Sequence, residues 1–424
     1  MKKHLFGTTA LAAVGLVLAG VSSASAQTAA PAPAPGFRSN SGFTVGISGY
    51  ARQFVSTVQN KNGAIANRDG NVDQQSDWRP IFNFAMPLPN GMTAGAVLQM
   101  NPLNNTATGT GVVRRQWSSL SGGFGQIQLG ALDGVAAQML VGSNEQFTGG
   151  TVKNAGKIMD NVTAPSGNFP SRSIVASTNA DMFDNGRPAN KIAYFTPRFE
   201  GFQAGLSYAP ANSSSIEGAL EVANTQYKDI FSIAANYVGK VSSADVRAYA
   251  GYLTASKPSE VNLSDAQRAF HKDPTWYGFG AGVGFMGFDL GGSYAKIKDG
   301  RLNTQGTTTT AAALGTVTND GRAWEFGLNY TFGAAGIGVN YFDGRNEAGT
   351  SSATGTVTPQ ANGDDKRTGV SLSGRYILAP GVNVEAIVFN AKQTTGLAAS
   401  VGTHDLVNRS TTANGALTAL ILAF

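Results

Sequence analysis

From Phe43 to Phe424 the chain runs in short stretches of alternating apolar and polar residues, and the joints between stretches also alternate, one short and the next long. In RAWEFGLNYTF, residues 322–332, Trp324, Phe326, Leu328 and Tyr330 share one face, while Glu325, Gly327, Asn329 and Thr331 share the other. That period of two is the signature of a β-strand. TWYGFGAGVGF, residues 275–285, repeats it, with Tyr277, Phe279, Ala281, Val283 and Phe285 set against Trp276 and four glycines. Sixteen such segments can be marked, near 43–56, 78–87, 93–101, 114–121, 124–130, 190–197, 201–209, 229–238, 244–254, 275–285, 287–297, 322–332, 334–343, 367–377, 381–391 and 415–424. Each has about the length a tilted strand needs to cross a bilayer. Every second joint is short (PLPNG, GG, RFEG, GKVSS, MG, GAAG, APG), and the joints between are long and polar. A soluble sandwich has no reason to alternate its joints so strictly. An antiparallel transmembrane β-barrel does, because its turns are short on the periplasmic side and its loops long outside. The fold class expected is therefore all-β, a barrel of about 16 strands occupying residues 43–424.

The segment before the barrel reads differently. Lys2 and Lys3, an apolar run from Leu5 to Gly20 and Ala24-Ser25-Ala26 have the charge, length and small-residue site of a secretory signal over residues 1–26. Residues 27–42, with TAAPAPAPGF, predict an extended, mobile periplasmic linker. Loss of Lys2 and Lys3 lowers the net charge from +5 to +3, too slight to suggest a nucleic-acid partner. The chain has no cysteine, so disulfides, thiolate catalysis and cysteine-held metal are excluded. Past the signal no run of 18 apolar residues occurs, which argues against helical spans.

RRQWSSLSGGFGQIQLG, residues 114–130, raises a second question, because regular patterning stops after it for over fifty residues. Gly122-Gly123 is expected to form a periplasmic turn between the fourth and fifth strands. Through this segment, the strand series and the terminal ILAF, the chain resembles the Gram-negative general porins, particularly the sixteen-stranded proteobacterial type. It keeps Arg114, Leu120, Phe124-Gly125 and Leu129-Gly130 of the family's strand–turn–strand pattern, and has Ser119 and Ala131 where the family has Gly and Arg. NEQFTGGT matches the family's loop tip only through Glu145, Phe147, Gly149 and Gly150. The resemblance implies an outer-membrane homotrimer set in lipid and lipopolysaccharide, a third loop folded into the lumen, and Phe424 as the signal read by the barrel-assembly machinery. It implies passive diffusion of small hydrophilic solutes and no cofactor.

Parity places the candidate lumenal charges. Arg52 shares a face with Thr44, Gly46 and Ser48; Arg79 with Asn83, opposite Trp78, Phe82 and Phe84; and Arg114 with Gln116 and Ser118, opposite Trp117. A charge facing lipid near the midplane costs about 2–4 kcal/mol, so all three arginines are expected in the pore and Trp117 toward lipid. The third loop, about 131–189, carries Asp133, Glu145, Asp160, Asp181 and Asp184, which across the lumen from the arginines would set up a transverse field. Leu417 and Ile421 make the inner face of the last strand apolar, which calls for something inside the barrel to cover it.

Other classes leave weaker marks. An esterase would need an activated nucleophile, yet His271 and His404 sit in loop segments with no nucleophile elbow, so no enzyme is expected. The glycines at 278, 280, 282 and 284 lie within a strand, where clearance explains them better than dinucleotide binding. Asp364 and Asp365 read as a solvated turn, with a Ca²⁺ site as the alternative. A sugar- or anion-selective channel and a surface adhesin stay open as alternative readings; single-channel conductance separates them.

Overall fold

The computed structural model describes residues 37–38, 42–61, 72–101, 113–141, 189–211, 227–256, 273–299, 320–346, 350–351, 358–359, 365–394 and 410–424. In chain order the strands are β1 (Phe37–Arg38), β2 (Thr44–Lys61), β3 (Val72–Pro87), β4 (Thr93–Met100), β5 (Val113–Gly122), β6 (Gly125–Ala131), β7 (Asn190–Phe195), β8 (Phe202–Ala211), β9 (Lys228–Val241) and β10 (Ala244–Ser256). They continue as β11 (Thr275–Phe285), β12 (Phe288–Lys298), β13 (Gly321–Phe332), β14 (Ala335–Asn346), β15 (Thr350–Ser351), β16 (Thr358–Pro359), β17 (Asp365–Ala379), β18 (Val382–Thr394) and β19 (Ser410–Ala423). Among the described residues, one short helix, α1 (Val135–Gln138), follows β6.

β2–β14 and β17–β19 form a closed antiparallel barrel of 16 strands. Each pairs with its chain neighbour, and β19 returns to β2 from Tyr50↔Ala423 to Lys61↔Thr412. Gly49 and Phe424 exchange two backbone hydrogen bonds, of 2.8 and 3.1 Å, at the seam. Closure leaves no open edge, which is what lipid requires of a sheet. The sixteen segments anticipated from the alternation coincide with these strands; β2 and β3 reach further into the long-loop end than expected. β15 and β16 form a separate two-stranded ladder.

The two faces differ as the alternation requires. Outward, Trp324, Phe326 and Leu328 on β13, Phe279, Val283 and Phe285 on β11, and Leu206 and Tyr208 on β8 are exposed. Large apolar side chains standing clear of the protein all round a barrel make a surface suited to lipid. Inward, two apolar clusters are buried. The larger holds Trp276, Tyr249, Leu253 and Ile297 of the wall with Leu132, Val135, Ala136 and Met139 of the third loop. The smaller holds Phe54, Ile387, Phe389, Leu417 and Ile421, the inner apolar strip that Leu417 and Ile421 had announced.

The strand 4–5 turn falls at Gly123–Phe124, with Gly122 opposite Gly125, one residue later than Gly122-Gly123. Gly125 has φ +106, and a Cβ there would stand 2.1 Å from the Phe195 carbonyl oxygen, so this position tolerates only glycine. In β11 the inward glycines give clearance: a Cβ on Gly278 would meet the Trp276 ring at 2.5 Å, and one on Gly282 the Arg247 guanidinium at 2.4 Å. Phe37 and Arg38, expected in the linker, pair with Val45 and Thr44.

Candidate functional site

Four arginines converge on the inner wall near mid-height. Arg52 and Tyr50 are neighbours on the inward face of β2, and the Arg52 guanidinium lies 3.7 Å from the Tyr50 ring centroid. That separation suits a cation–π contact. β3 places Asp77 opposite Arg52 and Arg79 opposite Tyr50. The Tyr50 hydroxyl donates to one Asp77 oxygen at 3.3 Å, and Arg79 Nε donates to the other at 3.1 Å. One carboxylate thus anchors Tyr50 and Arg79 while facing Arg52.

β5 supplies the other two, and here the parity reading needs correction. The β4–β5 register slips at this point: Gln99 faces Arg115, whereas Met100 faces Val113. Arg114 is the extra residue of a β-bulge. A bulge breaks the alternation, so residues on either side of it no longer share the face that counting assigns. Arg114 points inward, within the electrostatic reach of Arg79, Arg115, Asp133 and Tyr50. Arg115 points inward too, donating from Nη1 to Gln99 Oε1 at 3.0 Å and from Nε to Asp133 Oδ1 at 3.0 Å, with Nη2 on Asp133 Oδ2.

Beyond the bulge the assigned faces are exchanged. Trp117 lies inward, packed against the larger apolar cluster, and not toward lipid. Gln116 and Ser118 lie outward, with Ser118 opposite the exposed Leu129. Gly130 lets the two strands approach at Trp117, because a Cβ there would stand 2.8 Å from the Trp117 Cα and 3.2 Å from its Cβ.

The third loop enters the lumen at its start. Val135 N–H donates to Ser207 Oγ at 3.2 Å and Ala136 N–H to Ser232 Oγ at 3.0 Å. Asn236 Nδ2 donates to the Met139 carbonyl at 3.1 Å and the Tyr249 hydroxyl to that of Ala136 at 2.5 Å. Gln138 Nε2 bridges Gln128 Oε1 at 3.0 Å and the Asp133 carbonyl at 2.7 Å. These bonds satisfy backbone groups that α1, a single turn, leaves open at both ends. They also fill the lumen beside β7–β12 with a dry apolar mass. Asp133 therefore lies beside the arginines, clasped by Arg115, and not across the pore from them. Glu145, Asp160, Asp181 and Asp184 lie outside the described residues.

The structure thus brings together Arg52, Arg79, Arg114 and Asp133 of the anticipated residues and adds Tyr50, Asp77 and Arg115. Tyr50 and Asp77 were within reach of the parity argument, each two residues from a named arginine on the same face. Arg115 was not, since nothing in the alternation marks the bulge. The cluster carries four guanidinium groups and two carboxylates, a positive surplus on the wall of a cavity.

A closed barrel with an apolar exterior and a charged interior defines a membrane channel of the outer-membrane type. The chain belongs to the Gram-negative porins, whose family model matches residues 7–396. It is 35% identical over 163 residues to the outer membrane porin protein 32 of Delftia acidovorans, a match covering 36% of this chain and 42% of that relative. The similarity thus spans less than half the length of the curated relative. Among solved structures, the anion-selective porin from Comamonas acidovorans superposes with a TM-score of 0.54 at 20% identity, over 90% of this chain and 100% of that one. The outer membrane channel DcaP of Acinetobacter baumannii gives 0.57 at 11% identity, over 92% and 99%. At these identities the structural likeness establishes the shared fold.

Proposed function

We propose that the chain forms a water-filled outer-membrane pore through which small hydrophilic solutes and ions diffuse passively, with a preference for anions. The observation that carries this reading is the inward cluster of Arg52, Arg79, Arg114 and Arg115, balanced only in part by Asp77 and Asp133. In a narrow lumen with low-dielectric walls, a surplus of one sign raises the local concentration of the opposite ion. The interlocked contacts hold the guanidinium groups in place, so the field is fixed before a solute arrives. Glu145, Asp160, Asp181 and Asp184 are proposed as the acids facing this wall from the third loop.

A homotrimer accompanies this reading. The outward face of β4 and β5 carries Ala94, Ala96, Ser118 and Gln116 beside Leu98 and Leu120, so small and polar positions interrupt the apolar surface there. Polar groups facing hydrocarbon are costly without a partner, so a second protein surface suits that face better than lipid. Phe424, at the closing seam, is proposed as the residue the assembly machinery reads.

Planar-bilayer recordings test the pore. The native chain should give large ohmic steps and a reversal potential on the anion side in a KCl gradient. Replacing Arg52, Arg79 and Arg114 by Ala turns the local surplus negative and should move that potential toward cations. An unchanged reversal potential would refute the role given to the cluster, and absence of conductance would refute the channel itself.

A further inference from the structure

β13 lies halfway round the barrel from β5, and the inner wall there holds polar groups that neither the arginine cluster nor the start of the third loop uses. On β13 the inward positions are Glu325, Gly327 and Asn329, alternating with the exposed Trp324, Phe326 and Leu328. Gly327 lies between Gly291 of β12 and Asn340 of β14, and Asn329 between Asp289 and Gly338 of the same two strands. β17 continues the two rows with Ser371 and Ser373. Gly291, Gly327 and Gly338 thus leave a floor without side chains across three strands, about 10 Å wide. Asn329 and Asn340 flank it as diagonal neighbours, about 7 Å apart.

The two asparagines are at odds with their surroundings. Asn329 is 1% and Asn340 6% exposed, and neither the amide nitrogen nor the amide oxygen of either has a hydrogen-bond partner. Buried amides are ordinarily paired, because the desolvation they suffer is otherwise uncompensated. Elsewhere on the inner wall the same residue type is bonded: Asn83 donates to Ser48 Oγ at 2.9 Å, and Asn236 to the Met139 carbonyl at 3.1 Å. Around the floor the charges are engaged. Arg247 reaches over Gly282 to grip Asp289 with both terminal nitrogens, at 2.8 and 2.6 Å, and Glu325 accepts from Ser293 Oγ at 2.8 Å. Two carboxylates against one guanidinium leave this wall slightly negative, the reverse of the arginine wall. An anion is therefore disfavoured here, and an apolar solute would leave the amides as they are.

We propose that this stretch of wall is a subsite for a neutral polyhydroxylated solute, of the sugar class, passing through the lumen. The inference rests on the channel reading and adds a second wall to it, with anions drawn to the arginines and neutral polyols to the amides. Each hydroxyl of such a solute both donates and accepts, as do the amides of Asn329 and Asn340 and the hydroxyls of Ser371 and Ser373. The carboxylates of Asp289 and Glu325 accept from further hydroxyls at the edge of the floor. Glycines beneath let the ring come close to the backbone.

Single-channel recordings of the full chain in planar bilayers test the subsite, with maltotriose as probe and polyethylene glycol of similar size as control. Maltotriose should reduce the native ion current saturably with concentration, whereas the polymer should reduce it without saturation. The Asn329→Ala/Asn340→Ala variant should bind maltotriose about tenfold more weakly, having lost two hydrogen-bonding side chains. Its conductance and reversal potential in KCl should match native, since neither asparagine belongs to the arginine cluster, and any channel that conducts is a folded one. Native affinity in the double variant, or a maltotriose effect no different from that of the polymer, would overturn the proposal. So would loss of saturation in an Arg52→Ala variant with the asparagines intact, which would put the sugar on the arginine wall. Conductance without saturable block sinks the subsite alone, whereas absence of conductance sinks the pore itself.

Discussion

Individual residues in the lumen act through pairs, and the pairs decide what a substitution does. Asp133 neutralises Arg115 while Gln138 holds its backbone carbonyl. Asp133→Asn removes one negative charge from the cluster and keeps the amide able to hydrogen-bond, so the reversal potential should move further toward anions. An unchanged reversal potential would mean that Asp133 does not face the ion path. Gly130 is constrained by its backbone, having φ +135, where a Cβ would stand 2.5 Å from the Gln116 carbonyl oxygen. Gly130→Ala adds strain of about 1–3 kcal/mol at that position. In lipid it should lower the urea midpoint of the barrel; an unchanged midpoint would show that β5 and β6 separate without penalty.

Elements differ in how plainly the chain announces them. Strands and short turns were legible because lipid on one side and a lumen on the other impose a period of two along every strand. Glycines mark the joints for the same physical reason that Gly125 cannot be replaced. The β5 bulge was not legible, because Arg114 and Arg115 read as two ordinary steps of the alternation and only pairing with β4 shows that both turn inward. The dry filling beside β7–β12 was half legible: Trp276 broke the small-residue inner face of β11, but no pattern said that Val135 and Ala136 would meet it. Ser207, Ser232, Asn236 and Tyr249 fasten that filling to the wall. Ser207→Ala with Ser232→Ala leaves two buried N–H groups without acceptors, at about 1–3 kcal/mol each. The start of the third loop should then leave the wall more often, read as added noise and flickering between conductance levels at constant voltage. A trace as quiet as native would show that apolar packing alone holds α1.

For the whole molecule, closure decides whether a barrel exists at all, and closure concentrates at the seam between β19 and β2. Two contributions meet at Phe424: its backbone bonds Gly49 in both directions, and its side chain stands half exposed on the outside of the seam. The two can be separated. Phe424→Ala keeps both backbone bonds and removes the ring, whereas deletion of Phe424 removes ring and bonds together. If the residue matters only through closure, the alanine variant should assemble like native and the deletion should show less folded barrel. The reading proposed for the terminal aromatic predicts the other order: both variants should assemble poorly in cells, seen as loss of the heat-modifiable band. In detergent refolding, where no machinery reads the terminus, the alanine variant should recover to native yield while the deletion stays behind. Equal yields of native and alanine chains in cells would remove any recognition role from Phe424 and leave it as the last rung of the seam.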